Sequence, residues 1–166
     1  MNQILISLFA LLLAFSAPAA HALSTDKNQP IYIDSDTQNL DLKNDTVIFT
    51  GNVFLRQGSI RLKADRVVIN RTKNKANTEI INAYGRPATF EQTMDDGEKI
   101  NGKALELRYE VAKSLLTMNK DAVLVQGKGN KIESQKITYN IDKQLLAAES
   151  NRGKRVTTIL QPQSRK

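Results

Sequence analysis

The chain contains no cysteine and no tryptophan, and its single histidine is His21. Without cysteine it can form neither a disulfide nor a thiolate metal site. A Ser-His-Asp or Cys-His nucleophile would have to use His21. That residue lies in a segment with the features of a leader, so we expect a folded domain without histidine. These absences exclude most nucleophilic enzymes and most zinc proteins.

Residues 1–22 have the pattern of a secretory signal peptide. They contain no Asp, Glu, Lys or Arg, an apolar run extends from Ile4 to Phe15, and Ala20-His21-Ala22 forms a small-x-small cleavage site. The run is shorter than the roughly 18 apolar residues of a membrane-spanning helix. We therefore predict export and cleavage after Ala22, with an uncleaved membrane anchor as the alternative.

Basic side chains outnumber acidic ones, with 24 Lys and Arg against 17 Asp and Glu and a net charge of +7. They are spread along the chain, with local clusters at residues 61–75 and 152–155. Such clusters are usually solvated surface, but outside the cytoplasm they also suit phosphorylated glycolipids, anionic membranes or polyanionic polymers. Only Tyr32, Phe54 and Tyr84 could stack on nucleic-acid bases, so we expect no nucleic-acid partner.

After residue 22, apolar and polar residues alternate with a period of two. Turn signals such as Lys43-Asn44-Asp45, Gln57-Gly58-Ser59 and Lys73-Asn74-Lys75 interrupt the alternation, and no helical period is sustained. The pattern predicts an all-β, antiparallel protein.

The chain also contains a degenerate eight-residue repeat. Each copy begins with an aliphatic residue, has a small residue at its third position and ends on an apolar residue. The copies are Ile33–Leu40, Leu62–Ile69, Ile100–Leu107 and Ile132–Tyr139. Their first and last apolar residues are seven apart, so a flat strand would turn them to opposite faces. If both face inward, a bulge must take up one residue. We predict that bend at the small residues Ser35, Ala64, Gly102 and Ser134, giving a stacked pair of sheets like a jellyroll.

The same alternation predicts which residues face inward. They are Ile31, Ile33, Leu40, Leu42, Val47, Phe49, Val53, Leu55, Ile60, Leu62, Val67, Ile69, Ile80, Phe90, Ile100, Leu105, Leu107, Tyr109, Leu115, Leu124, Ile132, Ile137, Tyr139, Ile141 and Leu146. Such a ribbon forms either an ordinary core or an apolar slot for a lipid chain. Both interpretations remain open from the residues alone.

Carboxylate pairs occur at Asp34/Asp36, Asp95/Asp96 and Glu106/Glu110, where a general acid and base could be built. Solvated charge is the favoured interpretation, because Asp34 and Asp36 share the outward face of a strand and Asp95-Asp96-Gly97 is typical of a turn. No glycine-rich phosphate loop precedes a helix, and no calcium-loop spacing is present. We expect no enzyme activity, no cofactor and no metal site.

Four segments together resemble the OstA-like family of periplasmic lipopolysaccharide-transport bridge proteins. They are Gln29–Asp36 (QPIYIDSD), Phe49–Val68 (FTGNVFLRQGSIRLKADRVV), Tyr84–Phe90 (YGRPATF) and Gly153–Leu160 (GKRVTTIL). The resemblance implies a slightly twisted or V-shaped antiparallel β-jellyroll of about sixteen strands, open at both ends. It also implies head-to-tail stacking and pairing with β-jellyroll components at the inner and outer membranes. The cargo would be lipopolysaccharide, with its acyl chains in a groove between the sheets.

The leader pattern and the resemblance together predict a signal peptide at 1–22, a jellyroll domain at 23–160 and a short basic tail at 161–166. It implies lipid contacts at Ile31, Ile33, Phe90 and Tyr109, to which the alternation adds Leu42, Phe49, Leu55, Leu62, Leu107 and Tyr139. The candidate edge-strand interface comprises Gln29, Pro30, Ile31, Tyr32, Val156, Thr157, Thr158 and Ile159.

Three alternatives to a lipid carrier remain. One is an assembly module that polymerises through its edge strands and carries no lipid. Another is a membrane-anchored partner of the same fold, which the missing Lys or Arg before Ile4 favours. The third is a surface protein that binds polyanions, whose binding would collapse at high salt.

Overall fold

The structure is a computed structural model that describes residues 26–71, 78–151 and 153–162. The predicted signal peptide, the turn at residues 73–75 and the end of the basic tail lie outside these ranges. The described ranges contain ten strands: β1 (Ile31–Asp34), β2 (Thr37–Asp41), β3 (Thr46–Gln57), β4 (Ile60–Asn70), β5 (Ile80–Thr93), β6 (Lys99–Glu110), β7 (Leu115–Gln126), β8 (Asn130–Asn140), β9 (Leu145–Glu149) and β10 (Thr157–Ile159). Two single 3-10 turns, Asp26–Asn28 and Val111–Lys113, complete the secondary structure. Within the described ranges, no helix has the length and apolar character needed to cross a membrane.

All the strands pair antiparallel in one sheet, as the alternation predicted. From β3 to β8 each strand pairs with the next along the chain. At one margin β1 and β2 both pair with β3, and at the other β9 and β10 both pair with β8. The two margins do not pair with each other in the described part of the chain. The sheet is therefore open, with an unpaired edge at each end.

A row of bends crosses the middle of the sheet. The pairing register shifts at residues 51–52 of β3, 65 of β4, 85–87 of β5, 105 of β6, 120–121 of β7 and 135 of β8. On the two margins the gaps between β1 and β2 and between β9 and β10 continue the same row. Counting each bent strand as two segments turns the ten strands into the sixteen implied by the family resemblance.

The backbone at several bends departs from a regular strand. Gly51 and Asn52 have φ values of 82° and 47°, and Lys120 and Asp121 have values of 64° and 54°. Positive φ is typical of bulges, where an extra residue turns the strand. The Asp36 backbone N–H donates to the Gly51 carbonyl at 3.0 Å, and the Asn52 side-chain amide donates to the Asp36 carboxylate at 2.9 Å. These bonds tie the break between β1 and β2 to the bend in β3.

The bends divide the sheet into two layers. Layer A comprises residues 31–34, 53–57, 60–64, 88–93, 99–104, 122–126, 130–134 and 157–159, and layer B comprises 37–41, 46–50, 66–70, 80–84, 106–110, 115–119, 136–140 and 145–149. The rings of Phe90 (β5) and Tyr139 (β8) lie 6.4 Å apart, although β6 and β7 separate their strands within the sheet. Such a contact requires the layers to fold face to face.

The buried face changes phase at the bends of β4, β6 and β8, as the repeat predicted, and also in β5, whereas the two-residue bends of β3 and β7 keep the phase. In β4, Leu62 and Ala64 are buried before the bend, and Val67 and Ile69 are buried after it. Ser35, Ala64 and Ser134 lie beside bends, as expected. The expectation for Gly102 is wrong, because β6 bends at Leu105, immediately after Ala104.

Most of the predicted inward residues are buried, and Ile31, Ile33, Ile132 and Leu146 are half-buried against the core. Five others depart from the prediction. Ile80 and Leu115 are one residue out of phase, because their neighbours Ile81 and Leu116 occupy the inner face. Leu105 is exposed because it occupies the bend itself. Leu40 and Leu42 are exposed by 56% and 76%. Leu40 pairs with the inward Val47 but stays uncovered at the open margin, and Leu42 lies in the turn beyond β2.

Gly102 has a packing role between the layers. A Cβ atom at this position would lie 2.6 Å from the sulfur of Met118, which belongs to layer B. The absent side chain therefore makes room for Met118.

We expect Gly102→Val to lower the free energy of unfolding by about 1–3 kcal/mol, since it overpacks this contact. Asn101→Val, on the opposite face of the same strand, is the matched control and should have a small effect. Adding Met118→Ala should recover part of the loss, so the cost of Gly102→Val should be smaller in that background. Urea unfolding of the four variants measures this coupling, and equal costs with and without Met118 would contradict it.

Candidate functional site

The candidate site is the interior between the two layers. Its lining from β3 to β8 is apolar, and Leu55, Ile81, Leu116 and Ile137 have no exposed surface. Toward the margins the lining opens, because Ile31 and Ile33 at one edge and Ile132 and Leu146 at the other are only half-buried. The inner apolar face thus runs from one open edge of the sheet to the other.

The predicted groove residues fall into three groups by burial. Buried between the layers are Phe49, Leu55, Leu62, Phe90, Leu107, Tyr109 and Tyr139. Ile31 and Ile33 are half-buried at the β1 margin. Leu42 is exposed and outside the interior, so the prediction that it faces a groove is wrong.

The side of the interior near the bends is lined by small residues. Ala64, Ala88, Ala104 and Ala122 each lie directly beside a bend in their strand and are almost fully buried. Small side chains allow the layers to approach closely where the strands fold over. These four alanines make this part of the interior apolar.

The opposite side, which we call the seam, is polar. The seam is where the turn rows of the two layers meet, and it comprises the 3-10 turn Asp26–Asn28, Gln57–Ser59, Gln92, Tyr109, Tyr139 and Asp142. Asp26 is 3% exposed and accepts three hydrogen bonds there. The backbone N–H and hydroxyl of Ser59 donate to it at 2.7 Å each, and the Gln92 side-chain amide donates at 3.2 Å. A buried carboxylate is stable only with such donors.

The seam network connects the layers. The Tyr139 hydroxyl of layer B donates to the Gln92 side-chain oxygen of layer A at 3.1 Å. The side-chain amide of Gln92 in turn donates to the Asp26 carboxylate. Burial raises the pKa of Tyr139 to about 12, so this phenol remains a neutral donor. At the seam's surface, Lys27 Nζ forms an ion pair with Asp142 at 2.5 Å. The N-terminal 3-10 turn therefore bridges the two turn rows.

The end of β3 also stabilises the 3-10 turn Asp26–Asn28. Gln57 donates its side-chain amide to the backbone carbonyls of Lys27 and Gln29, at 3.2 Å each. Gly58 packs against the Asp26 carboxylate with φ 55°, where any larger residue would clash. The sequence interpretation missed Asp26, Gln57 and Gln92. Gln57 and Gln92 could have been found, because they continue the inward series of Leu55 and Phe90 with a polar residue.

The predicted carboxylate pairs are structural. Asp34 pairs with Arg56 at 3.3 Å, Glu106 pairs with Lys120 at 2.5 Å, and Glu110 pairs with Lys113 at 2.7 Å. The pKa of the Glu110 carboxyl is lowered from its ordinary value, and the main cause is the hydrogen bond from Lys113. Within the described ranges, no three His, Cys, Asp or Glu side chains are grouped to hold a metal ion.

The outer face of layer A carries cations and aromatic rings. Arg56 lies 5.6 Å from the Tyr32 ring centroid and 5.7 Å from that of Phe54, and Lys63 lies 5.6 Å from Phe54. Beside them a cavity of about 270 Å³ is lined by Arg61, Lys63 and Lys103 over Val123 and Val125. The rings of Tyr32 and Phe54, two of the three that could have stacked on nucleic-acid bases, are thus in contact with cationic side chains.

The predicted edge residues lie on the two margins. Gln29 and Pro30 precede β1, which contains Ile31 and the exposed Tyr32. Val156 precedes β10, whose residues Thr157, Thr158 and Ile159 are all exposed. Each margin strand pairs on one side only in the described part of the chain.

Comparison with known proteins gives consistent matches. A family model described as "LptA/(LptD N-terminal domain) LPS transport protein" matches residues 32–145. Lipopolysaccharide export system protein LptA of Escherichia coli (strain K12) is 45% identical over 151 residues, covering 91% of this chain and 80% of that protein. LptA of Haemophilus influenzae is 42% identical over 156 residues, covering 93% and 90%.

A solved structure also matches. The crystal structure of LptH, described as the LptA homologous periplasmic component of the lipopolysaccharide transport device of Pseudomonas aeruginosa, superposes with a TM-score of 0.76. It is 28% identical in sequence, and the match covers 83% of this chain and 99% of that one. The open, antiparallel two-layer arrangement is therefore shared with a known fold.

We expect Asp26→Ala to destabilise the fold by about 2–4 kcal/mol, because three buried donors lose their charged acceptor. Asp34→Ala removes an exposed carboxylate with a single surface ion pair and should change stability little. Chemical unfolding of both variants at neutral pH measures the difference. Equal stability of the two variants would show that the seam network contributes nothing.

Proposed function

Because this chain belongs to the LptA and LptD N-terminal domain family of lipopolysaccharide transport proteins, we propose that it binds lipopolysaccharide and carries it across the periplasm. The acyl chains lie between the layers, and no catalytic step is involved. The observation that carries this proposal is the apolar inner face that runs between two open edges of the sheet. A lipid chain can pass along such a face from one protein to the next without meeting water.

Lipid entry requires the layers to separate. The inner face is closely packed, so an acyl chain has room only if Leu55, Phe90 and their neighbours move apart. The row of bends supplies the side on which the layers stay joined. The seam is the side that opens, and its polar contacts are exchanged for contacts with water or with the cargo.

We further propose that copies stack head to tail through the two margins. The β1 margin of one copy would pair with the β10 margin of the next, which satisfies backbone groups that are otherwise exposed. The same edges would pair with β-jellyroll components at the inner and outer membranes. Periplasmic location would follow from cleavage of the signal peptide after Ala22.

A photo-crosslinking residue at Phe90 should form adducts with lipopolysaccharide in cells that produce it, because Phe90 lies between the layers. The matched variant carries the same residue at Arg61, on the outer face of the neighbouring strand. Adducts at Arg61 but none at Phe90 would contradict the groove. Crosslinking at Arg61 that disappears at high salt would instead support a surface that binds polyanions through the outer cations.

The absence of cysteine allows a clean test of stacking. We expect a Tyr32→Cys chain mixed with an Ile159→Cys chain to form a mixed disulfide under mild oxidation. Each chain alone should give little dimer, since like margins do not meet in a head-to-tail contact. If the dimers on a non-reducing gel are mainly disulfides between two Tyr32→Cys chains, this arrangement is contradicted. Stacked oligomers that bind no lipopolysaccharide would favour an assembly module without a carrier role.

A further inference from the structure

The interior carries two hydrogen-bonding groups that the closed fold does not use. The Tyr109 hydroxyl and the Gln57 side-chain oxygen are both buried, and neither has a hydrogen-bond partner among the described residues. Tyr109 and Gln57 are each 1% exposed. A buried polar atom without a partner costs about 1–3 kcal/mol, so two in one region call for an explanation.

Both groups belong to the seam. Gln57 ends β3 in layer A and donates to the carbonyls of Lys27 and Gln29. Tyr109 lies near the end of β6 in layer B and on its buried face. Burial raises the pKa of Tyr109, and the nearby charges of Asp26 and Asp142 raise it further. The phenol therefore stays protonated at neutral pH and available as a donor beside the 3-10 turn.

The two groups differ in what they offer. Tyr109 can donate through its hydroxyl, whereas the Gln57 oxygen can only accept. A ligand that satisfies both needs an acceptor for Tyr109 and a donor for Gln57. A secondary amide has this combination, with a carbonyl for Tyr109 and an N–H for Gln57. An ether or glycosidic linkage has no donor.

The position of the pair matches the polarity of the interior. Alanines and Ser134, whose hydroxyl already donates to the Glu149 carbonyl, line the side near the bends, and polar side chains line the seam. An acyl chain lying between the layers would point its apolar end toward the bends and its linkage toward the seam. The linkage would then lie where Tyr109 and Gln57 are.

We propose that Tyr109 and Gln57 form a subsite for the amide that joins an acyl chain to its headgroup, so that the protein prefers amide-linked lipids. This subsite rests on the proposed function, because it operates only if acyl chains enter between the layers. It adds a chemical preference that apolar burial alone does not supply, since burial scales with chain length and not with linkage.

The test compares two amphiphiles of equal chain length, an N-alkanoyl glucamine with a secondary amide and an alkyl glucoside without one. Binding to the purified full chain is measured by native mass spectrometry and by calorimetry. We expect the wild type to bind the amide more tightly. Tyr109→Phe removes only the hydroxyl and should reduce that preference by about three- to tenfold, the equivalent of one hydrogen bond.

Tyr139→Phe is the matched control, because it removes a hydroxyl that already has a partner in Gln92. It should lower stability but keep the preference for the amide. Tyr109→Phe should unfold at the same urea concentration as the wild type or a higher one, so a folding defect cannot explain its loss. These two variants separate a ligand contact from a structural contact.

Three outcomes would overturn the subsite. Equal binding of both amphiphiles by the wild type would show that no linkage is selected. An equal loss of both ligands in Tyr109→Phe would indicate a packing role for the ring. Failure of the wild type to bind either amphiphile or lipopolysaccharide would overturn the proposed function and the subsite together, whereas tight binding without preference overturns the subsite alone.

Discussion

The fold depends on one geometric constraint, the interruption of every strand at the same level of the sheet. A strand places alternate residues on alternate faces, so a bend that takes up an odd number of residues reverses the phase of the buried series, as Leu62 and Ala64 are followed by Val67 and Ile69 in β4. The two-residue bends of β3 and β7 keep the phase. Without the reversal, half of each of β4, β5, β6 and β8 would turn its apolar residues to solvent. The row of bends therefore makes one sheet into two facing layers and creates the interior between them.

The two sides of that interior have different chemistry because the bends and the turns place different residues there. Next to the bends the layers approach closely, and alanines such as Ala64 and Ala104 fit. At the seam the layers meet through turns, whose backbone groups require partners. Gln57, Gln92 and Asp26 supply them. The result is an amphipathic interior, largely apolar on the side of the bends and hydrogen-bonding at the seam.

The open margins are the second consequence of the topology. A sheet that closed into a barrel would have no free edges, whereas this one, over residues 26–71, 78–151 and 153–162, leaves β1, β2, β9 and β10 unpaired on one side. Free edges usually invite aggregation. Here the inner apolar face reaches both of them, so the surface that would pair with another chain is also the surface where the interior opens. Assembly and passage of a lipid would therefore use the same two places.

The sequence by itself determined the all-β class, the position of most buried residues and the need for a bend inside each repeat, because alternation and odd spacing are local properties of a strand. It placed the third bend at Gly102, whereas β6 bends at Leu105, since the exact register depends on the neighbouring strands. Only the tertiary structure decided that Leu40 is uncovered and that Asp26, Gln92 and Tyr139 meet at the seam. Those contacts join residues far apart in the chain, and the folding of one layer onto the other brings them together.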